Sequence, residues 1–160
     1  MSAPYSSRRQ RLRRRFAKLA PALLVTGKLN VSYLTGFSGD SSWLLLTADR
    51  ELLISDFRYR IQLEEECPGL ETVIRGTKVP IHEAAGELVH KLAIRSMAIE
   101  SHLLTLEAHR QIQTAANCEL VEVSGLVEQL RSVKDAGEIA ETREAVSLAA
   151  RGFSYLQAGL

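Results

Sequence analysis

The sequence predicts an α/β domain built on a mixed sheet with helices over both faces, and three observations carry that reading. Six short runs rich in apolar residues recur along the first 123 positions. Stretches of about ten residues with helical periodicity lie between several of them. The first three runs are apolar at consecutive rather than alternate positions, the pattern of strands buried on both faces.

The chain opens on a basic segment, Arg8, Arg9, Arg11, Arg13, Arg14, Arg15 and Lys18. Leu12, Phe16 and Leu19 stand at i, i+4 and i+7, enough for one apolar stripe on a helix whose arginines point to water. The same run also suits a nucleic-acid arm, a transit peptide or a membrane-surface helix. A cleaved signal peptide is disfavoured, because no apolar core segment precedes residue 20. The strand candidates then follow in order. Ala22–Thr26, Trp43–Thr47 and Leu52–Ser55 come first, the last two joined by the polar turn Ala48-Asp49-Arg50-Glu51 as an antiparallel hairpin. Thr72–Arg75, Met97–Glu100 and Leu120–Val123 complete the six. Helices are predicted over Arg58–Cys67, over Ile81–Lys91 just after Pro80, and over Leu106–Ala116 with Thr105 as N-cap and Glu107 in the first turn.

The character changes after Ser124-Gly125. Leu126, Leu130 and Val133 make one helical stripe. Asp135 with Glu138 three residues on forms a capping-box pattern for a long helix carrying Ile139, Val146, Ala150 and Phe153. That apolar side runs to the last residue with little sequence left to cover it. The expectation is a chain cut from a longer protein, or one that takes a partner.

The 160 residues suffice for one well-buried core. The formal net charge of +1 conceals an asymmetry: residues 1–40 hold eight basic residues and one acid, Asp40, and the rest hold 12 bases and 18 acids. No apolar run of about 18 residues occurs, which excludes a membrane span of that kind. Cys67 and Cys118 lack CxxC spacing; two thiols exclude a disulfide framework and fit a reducing, cytoplasmic setting.

No complete catalytic constellation is legible. The histidines His82, His90, His102 and His109 show no HExxH or other metal-ligand spacing, and Glu100 with His102, or Glu107 with His109, supplies two ligands where a site needs three or more. GxSxG, P-loop and GxGxxG patterns are absent. Two local clusters stand out. The first runs from Asn30 to Asp40 between the first two strands, where Asn30 can cap a helical turn and Gly36 and Gly39 allow tight backbone. The second is Ser55-Asp56-Phe57-Arg58-Tyr59 at a strand-to-helix junction, where Asp56 can cap and Arg58 can pair with carboxylates.

These clusters carry a resemblance. Asn30-Val31, then Tyr33-Leu34-Thr35-Gly36-Phe37, then apolar strands, then Asp56 with Arg58-Tyr59, resemble the amino-terminal domain of the creatinase, aminopeptidase P and prolidase family. The segment Leu130-Arg131-Ser132-Val133-Lys134 through Glu138-Ile139 is similar to that family's link into its catalytic domain. Two positions depart from the pattern: Phe57 stands where glycine is common, and Gly39-Asp40-Ser41-Ser42 replaces a Gly-Ser-Ala-Gly-like loop.

The resemblance implies a three-layer α/β/α domain of ribonuclease-H-like topology over residues 9–125, with residues 126–160 as linker and first helix of a catalytic domain. It implies the non-catalytic N-terminal domain of an Xaa-Pro peptidase, contributing to a homodimer and to the rim of the active site. The rim candidates are Tyr33, Phe37, Ser38, Asp40, Asp56, Arg58 and Tyr59. No catalytic residue, metal ligand or cofactor is expected in this chain, which alone should be inactive. A pair of divalent ions (manganese, cobalt or zinc), held by two Asp, one His and two Glu, belongs to the family's second domain. The alternatives are a free-standing binding module of the same fold and a nucleic-acid binder using the arginine helix. The second calls for aromatics among the basic residues, and only Phe16 and Tyr5 qualify.

Overall fold

The computed structural model describes residues 3–159. Its contacts divide the chain after Glu128 into two units. The first holds a six-stranded sheet: β1 (Ala22–Val25), β2 (Trp43–Thr47), β3 (Glu51–Asp56), β4 (Glu71–Arg75), β5 (Ser96–Glu100) and β6 (Glu119–Val123). The strand order is β4-β3-β2-β1-β5-β6. β2 is antiparallel to both β1 and β3, and the β1–β5, β5–β6 and β3–β4 pairings are parallel. Five strands therefore run one way and only β2 runs back. The predicted α/β class and hairpin are present.

Successive residues of each strand face opposite sides, and in the inner strands β1, β2, β3 and β5 both sides are largely buried, whereas the edge strands β4 and β6 are mostly exposed or half-buried. Ala22, Leu24, Leu45, Leu52, Ile54, Met97 and Ile99 face α4 (Ile81–Lys91) and α5 (Leu106–Ala116), which add Ala84, Ala85, Val89, Ile112 and Ala116 to the same cluster. The alternate set, Leu23, Leu44, Leu46, Leu53 and Ala98, is equally buried. Burying each large aliphatic side chain contributes about 1.5–3 kcal/mol. α4 and α5 approach closely because Gly86 has no side chain; a Cβ there would stand 2.4 Å from the carbonyl oxygen of Ala115.

α1 (Ala3–Phe16) and α2 (Lys28–Thr35) pack on each other. Leu12 and Phe16 are buried as the apolar stripe requires, but Leu19 is half exposed. The arginines correct the solvated-face expectation. Arg8 and Arg9 are buried, and Arg8 Nη1 donates to the carbonyl of Tyr33 (3.0 Å) while Arg9 Nη1 donates to that of Leu34 (2.7 Å). Arg9 Nε also reaches Glu51 (2.7 Å), and Arg13 donates to the carbonyls of Thr47 and Arg50 (2.7 and 3.3 Å). Helix ends and turns leave carbonyls without partners, and cations are the favoured donors for them. The outer residues Arg11, Arg14, Arg15 and Lys18 are exposed.

The expected helix over Arg58–Cys67 is split into a 3₁₀ turn, Phe57–Tyr59, and α3, Arg60–Glu66. Thr105 caps α5 through the Ala108 amide, as its sequence predicts. Asn30 does not cap: α2 begins two residues earlier, after Gly27, and Asn30 lies in its first turn with its side chain buried. α6 (Leu126–Ser132) spans the division between the units. The second unit contains α7 (Ala136–Ala158), opened by the Asp135–Glu138 capping box. Ile139, Val146, Phe153 and Leu156 of α7 are exposed. Among the described residues no helix is long and apolar enough to cross a membrane.

Candidate functional site

With five strands parallel in direction, one sheet edge collects their carboxyl ends: Thr26 after β1, Asp56, Arg75, Glu100 and Val123. Crevices at such an edge are where open α/β sheets place their sites.

Asp56 closes β3 and is almost wholly buried. Its Oδ1 accepts from the backbone N–H and Nε of Arg58 (both 3.0 Å), and its Oδ2 from Nη2 of Arg58 (2.6 Å) and Nη2 of Arg75 (3.2 Å). Arg75 arrives because β4 lies in register, with Asp56 opposite Arg75. The Arg58 guanidinium, bonded to Asp56, holds its carboxyl below the usual aspartate range against the opposing pull of burial. One buried carboxylate thus orients two guanidiniums, and Arg58 keeps most of its side chain in solvent. Beside it, the ring of Tyr59 meets that of Phe37 edge-on, centroids 5.4 Å apart. Gly39 lies against the Phe37 ring, where a Cβ would come within 2.3 Å.

α2 and the loop after it carry the other predicted residues. Asp40 is exposed, 3.8 Å from Lys28, and accepts from the Ser41 amide (2.7 Å). Thr26, Lys28, Asp40, Ser42 and Trp43 help line a cavity of about 150 Å³. Ser38 turns toward α3, its N–H and hydroxyl both donating to Glu66 (2.7 Å each). Those bonds outweigh burial and hold Glu66 below its ordinary value. Phe37 is buried, as is Tyr33, whose ring lies under Arg8 at 4.2 Å. Of the seven rim candidates, the structure thus brings Phe37, Asp56, Arg58 and Tyr59 together, sets Asp40 on the adjoining loop, and places Ser38 and Tyr33 against α3 and α1.

A second group at the same edge joins residues that the sequence offered only separately, Glu100 with His102 as an incomplete ligand pair and Asn30 as a cap. Glu100, 3% exposed, accepts from the amides of Thr26 (2.7 Å) and Gly27 (3.0 Å) and from Asn30 Nδ2 (2.6 Å). It supplies the carboxylate that α2's N-terminus lacks in its own sequence. Asn30 Nδ2 also donates to Glu128 Oε1 (2.7 Å), which pairs with His102 Nε2 (3.2 Å). The one available signal was an acid closing the apolar run Met97-Ala98-Ile99.

Chemically, this edge offers a fixed guanidinium, an aromatic pair and carboxylates. Ser42, the buried hydroxyl, bonds to Ser55 (2.7 Å), not to a base. Among the described residues no group of three or more His, Cys, Asp or Glu side chains could hold a metal ion. The donor set does not fit a divalent pair.

Comparison with known proteins gives a consistent result. The family described as the Creatinase/Prolidase N-terminal domain matches residues 8–133. The uncharacterized peptidase YqhT of Bacillus subtilis (strain 168) is 28% identical over 149 residues, 92% of this chain and 42% of its own length. An Xaa-Pro dipeptidase from Bacillus anthracis overlays with a TM-score of 0.90 at 27% identity, covering 98% of this chain and 44% of that one. The N-terminal domain of the cytoplasmic peptidase PepQ from Mycobacterium tuberculosis H37Rv overlays with a TM-score of 0.70 at 32% identity, covering 78% and 98%. The chain spans about two-fifths of the length of the first two relatives.

Proposed function

The chain belongs to the creatinase/prolidase N-terminal domain family, and from that premise we propose that it is the non-catalytic N-terminal domain of an Xaa-Pro peptidase, working in the cytoplasm. In this reading it lines the rim of an active site whose chemistry resides in a separate metal-binding domain, and it assembles as a homodimer. The observation that carries the rim role is Arg58: an exposed guanidinium locked by buried Asp56, beside the Phe37–Tyr59 pair. A fixed cation at a sheet edge suits the carboxylate of a short peptide, because its orientation is set before the ligand arrives. The nucleic-acid alternative draws less support, since Arg8, Arg9 and Arg13 are engaged with backbone carbonyls of the fold.

The test is a graft. This chain replaces the matching segment of the Bacillus anthracis dipeptidase, and hydrolysis of Xaa-Pro dipeptides is measured. The expected result is an active chimera in which Arg58→Ala raises KM several-fold and changes kcat little. A folded but inert chimera, or an Arg58→Ala variant with unchanged KM, overturns the rim role.

A further inference from the structure

We infer that Asn30 is a proton-operated switch: while Glu100 is ionised the Asn30 amide ties it to Glu128, and proton uptake by Glu100 turns the amide over and releases Glu128. An amide NH2 has two hydrogens, and in Asn30 they point at two carboxylates, Glu100 Oε1 (2.6 Å) and Glu128 Oε1 (2.7 Å). Both neighbours are acceptors when ionised, so the nitrogen must face them and the carbonyl oxygen must face away. The arrangement persists only while Glu100 carries no proton on Oε1.

The site of protonation follows from the same geometry. Oε2 of Glu100 accepts two backbone N–H groups, from Thr26 and Gly27, and a proton there would break both bonds. Among the described residues Oε1 accepts only from Asn30. A proton arriving from solvent therefore settles on Oε1 and makes it a donor that collides with the NH2 hydrogens. Turning the amide by half a rotation presents its oxygen to the new hydroxyl. That oxygen then also faces Glu128 Oε1, acceptor against acceptor, and Glu128 must withdraw. Meanwhile the Oε2 bonds hold the turn between β1 and α2 closed in both states.

The charged groups around Glu100 favour the uptake. Facing it from α6 is Glu128, of like charge, and His102 of the turn after β5 bears on Glu128 rather than on Glu100. Lys28 at the start of α2 pairs outward with Asp40, and the β1–α2 turn contributes only backbone. Burial first, and then Glu128, push Glu100 above the usual glutamate range, although three donors pull the other way. Glu128 lies below that range: its bonds from Asn30 and His102 outweigh burial. Of the two, Glu100 takes the first proton. Because the folded state binds this proton more readily than the unfolded chain, the step adds stability as pH falls and leaves the fold intact while the tie opens.

The experiment follows Asn30 side-chain NH2 signals by nitrogen-15 NMR in the full 160-residue chain, from about pH 7.5 to about pH 4.5. Expected is one transition, its midpoint above the ordinary glutamate value of 4.5, with NH2 exchange rising about tenfold below it while the Thr26 and Gly27 amides stay bonded. Glu128→Gln removes the like charge and lowers the midpoint; His102→Gln leaves the transition in place. Glu100→Gln locks the released state at neutral pH, and if that variant fails to fold the other two still decide. Signals that ignore pH, a transition lost in His102→Gln, or a midpoint unmoved by Glu128→Gln each overturn the switch.

Discussion

Arg9 donates from Nη1 to the carbonyl oxygen of Leu34 at 2.7 Å, so a residue of the first helix closes the last turn of the second, 25 positions away. The bond is buried, and the same guanidinium binds Glu51 through Nε, so one side chain joins α1, α2 and β3. The basic start of the chain thereby acquires a structural purpose. The stripe that faces inward is held by Leu12 and Phe16 together with Arg8 and Arg9, not by apolar residues alone.

Reversing that charge should therefore damage the fold and not merely solubility. Arg9→Glu sets a second carboxylate against Glu51 and leaves the Leu34 carbonyl unpaired; the expected loss is about 3–5 kcal/mol. Arg14→Glu, on the exposed side, should stay within about 0.5 kcal/mol of the parent. Urea denaturation of the two variants gives the comparison, and equal midpoints would return Arg9 to the surface.

Asp56 gives a pH dependence with a definite sign. Its folded-state pKa lies below the ordinary 3.8, chiefly through Arg58. The stabilisation is complete above the unfolded value and is lost as pH falls through the folded one. Asp56→Asn should flatten the acid limb of a stability-against-pH curve. At neutral pH it should cost about 2 kcal/mol, because the partly buried Arg75 loses its carboxylate partner and keeps only the Val79 carbonyl. An acid limb identical to the parent's would show that the stabilisation comes from elsewhere.

Gly86→Ala sets helix propensity against sterics. Alanine favours the helix interior by about 1 kcal/mol. The added Cβ, however, would lie 2.4 Å from the Ala115 backbone oxygen, which cannot swing aside as a side chain does. Forcing α4 and α5 apart should win, with a net loss of about 1–3 kcal/mol in thermal or chemical unfolding.

Purified, tag-free chain should carry no stoichiometric manganese, cobalt or zinc and should not hydrolyse Xaa-Pro dipeptides, since no three-ligand group lies among its described residues. Elemental analysis and a dipeptide assay check both. One tightly held ion per chain, or turnover that survives chelation, would require a site built differently from any described above.

Association should involve α7, whose exposed Ile139, Val146 and Phe153 are each worth about 1.5–3 kcal/mol once covered, before ordering costs. The expected species is a homodimer. Sedimentation of the chain and of a version ending at Lys134 separates the outcomes: two monomers refute the dimer, and two equal dimers move the interface to the sheet domain.

The sequence by itself determined most of the elements, because strands, caps and turns obey rules that act over a few residues; α2 showed only as a helical turn, and the helix expected over Arg58–Cys67 is broken after Tyr59. Five leucines among Trp43–Thr47 and Leu52–Ser55 need burial on both faces wherever they sit, and Thr105 and Asp135 cap by reaching three residues ahead. It also picked out Asp56 as a cap and Arg58 as a cation for carboxylates, though not their bond to each other, and the family likeness carried by Asn30–Phe37. What only the tertiary structure decided are bonds between distant residues: Arg9 to Leu34, Asn30 to Glu100 across 70 positions, and Asn30 to Glu128 across 98. No periodicity encodes them. The Asn30–Glu100 bond exists because β5 lies parallel to β1 and brings Glu100 to the start of α2, where a buried carboxylate needs donors and a helix end needs an acceptor.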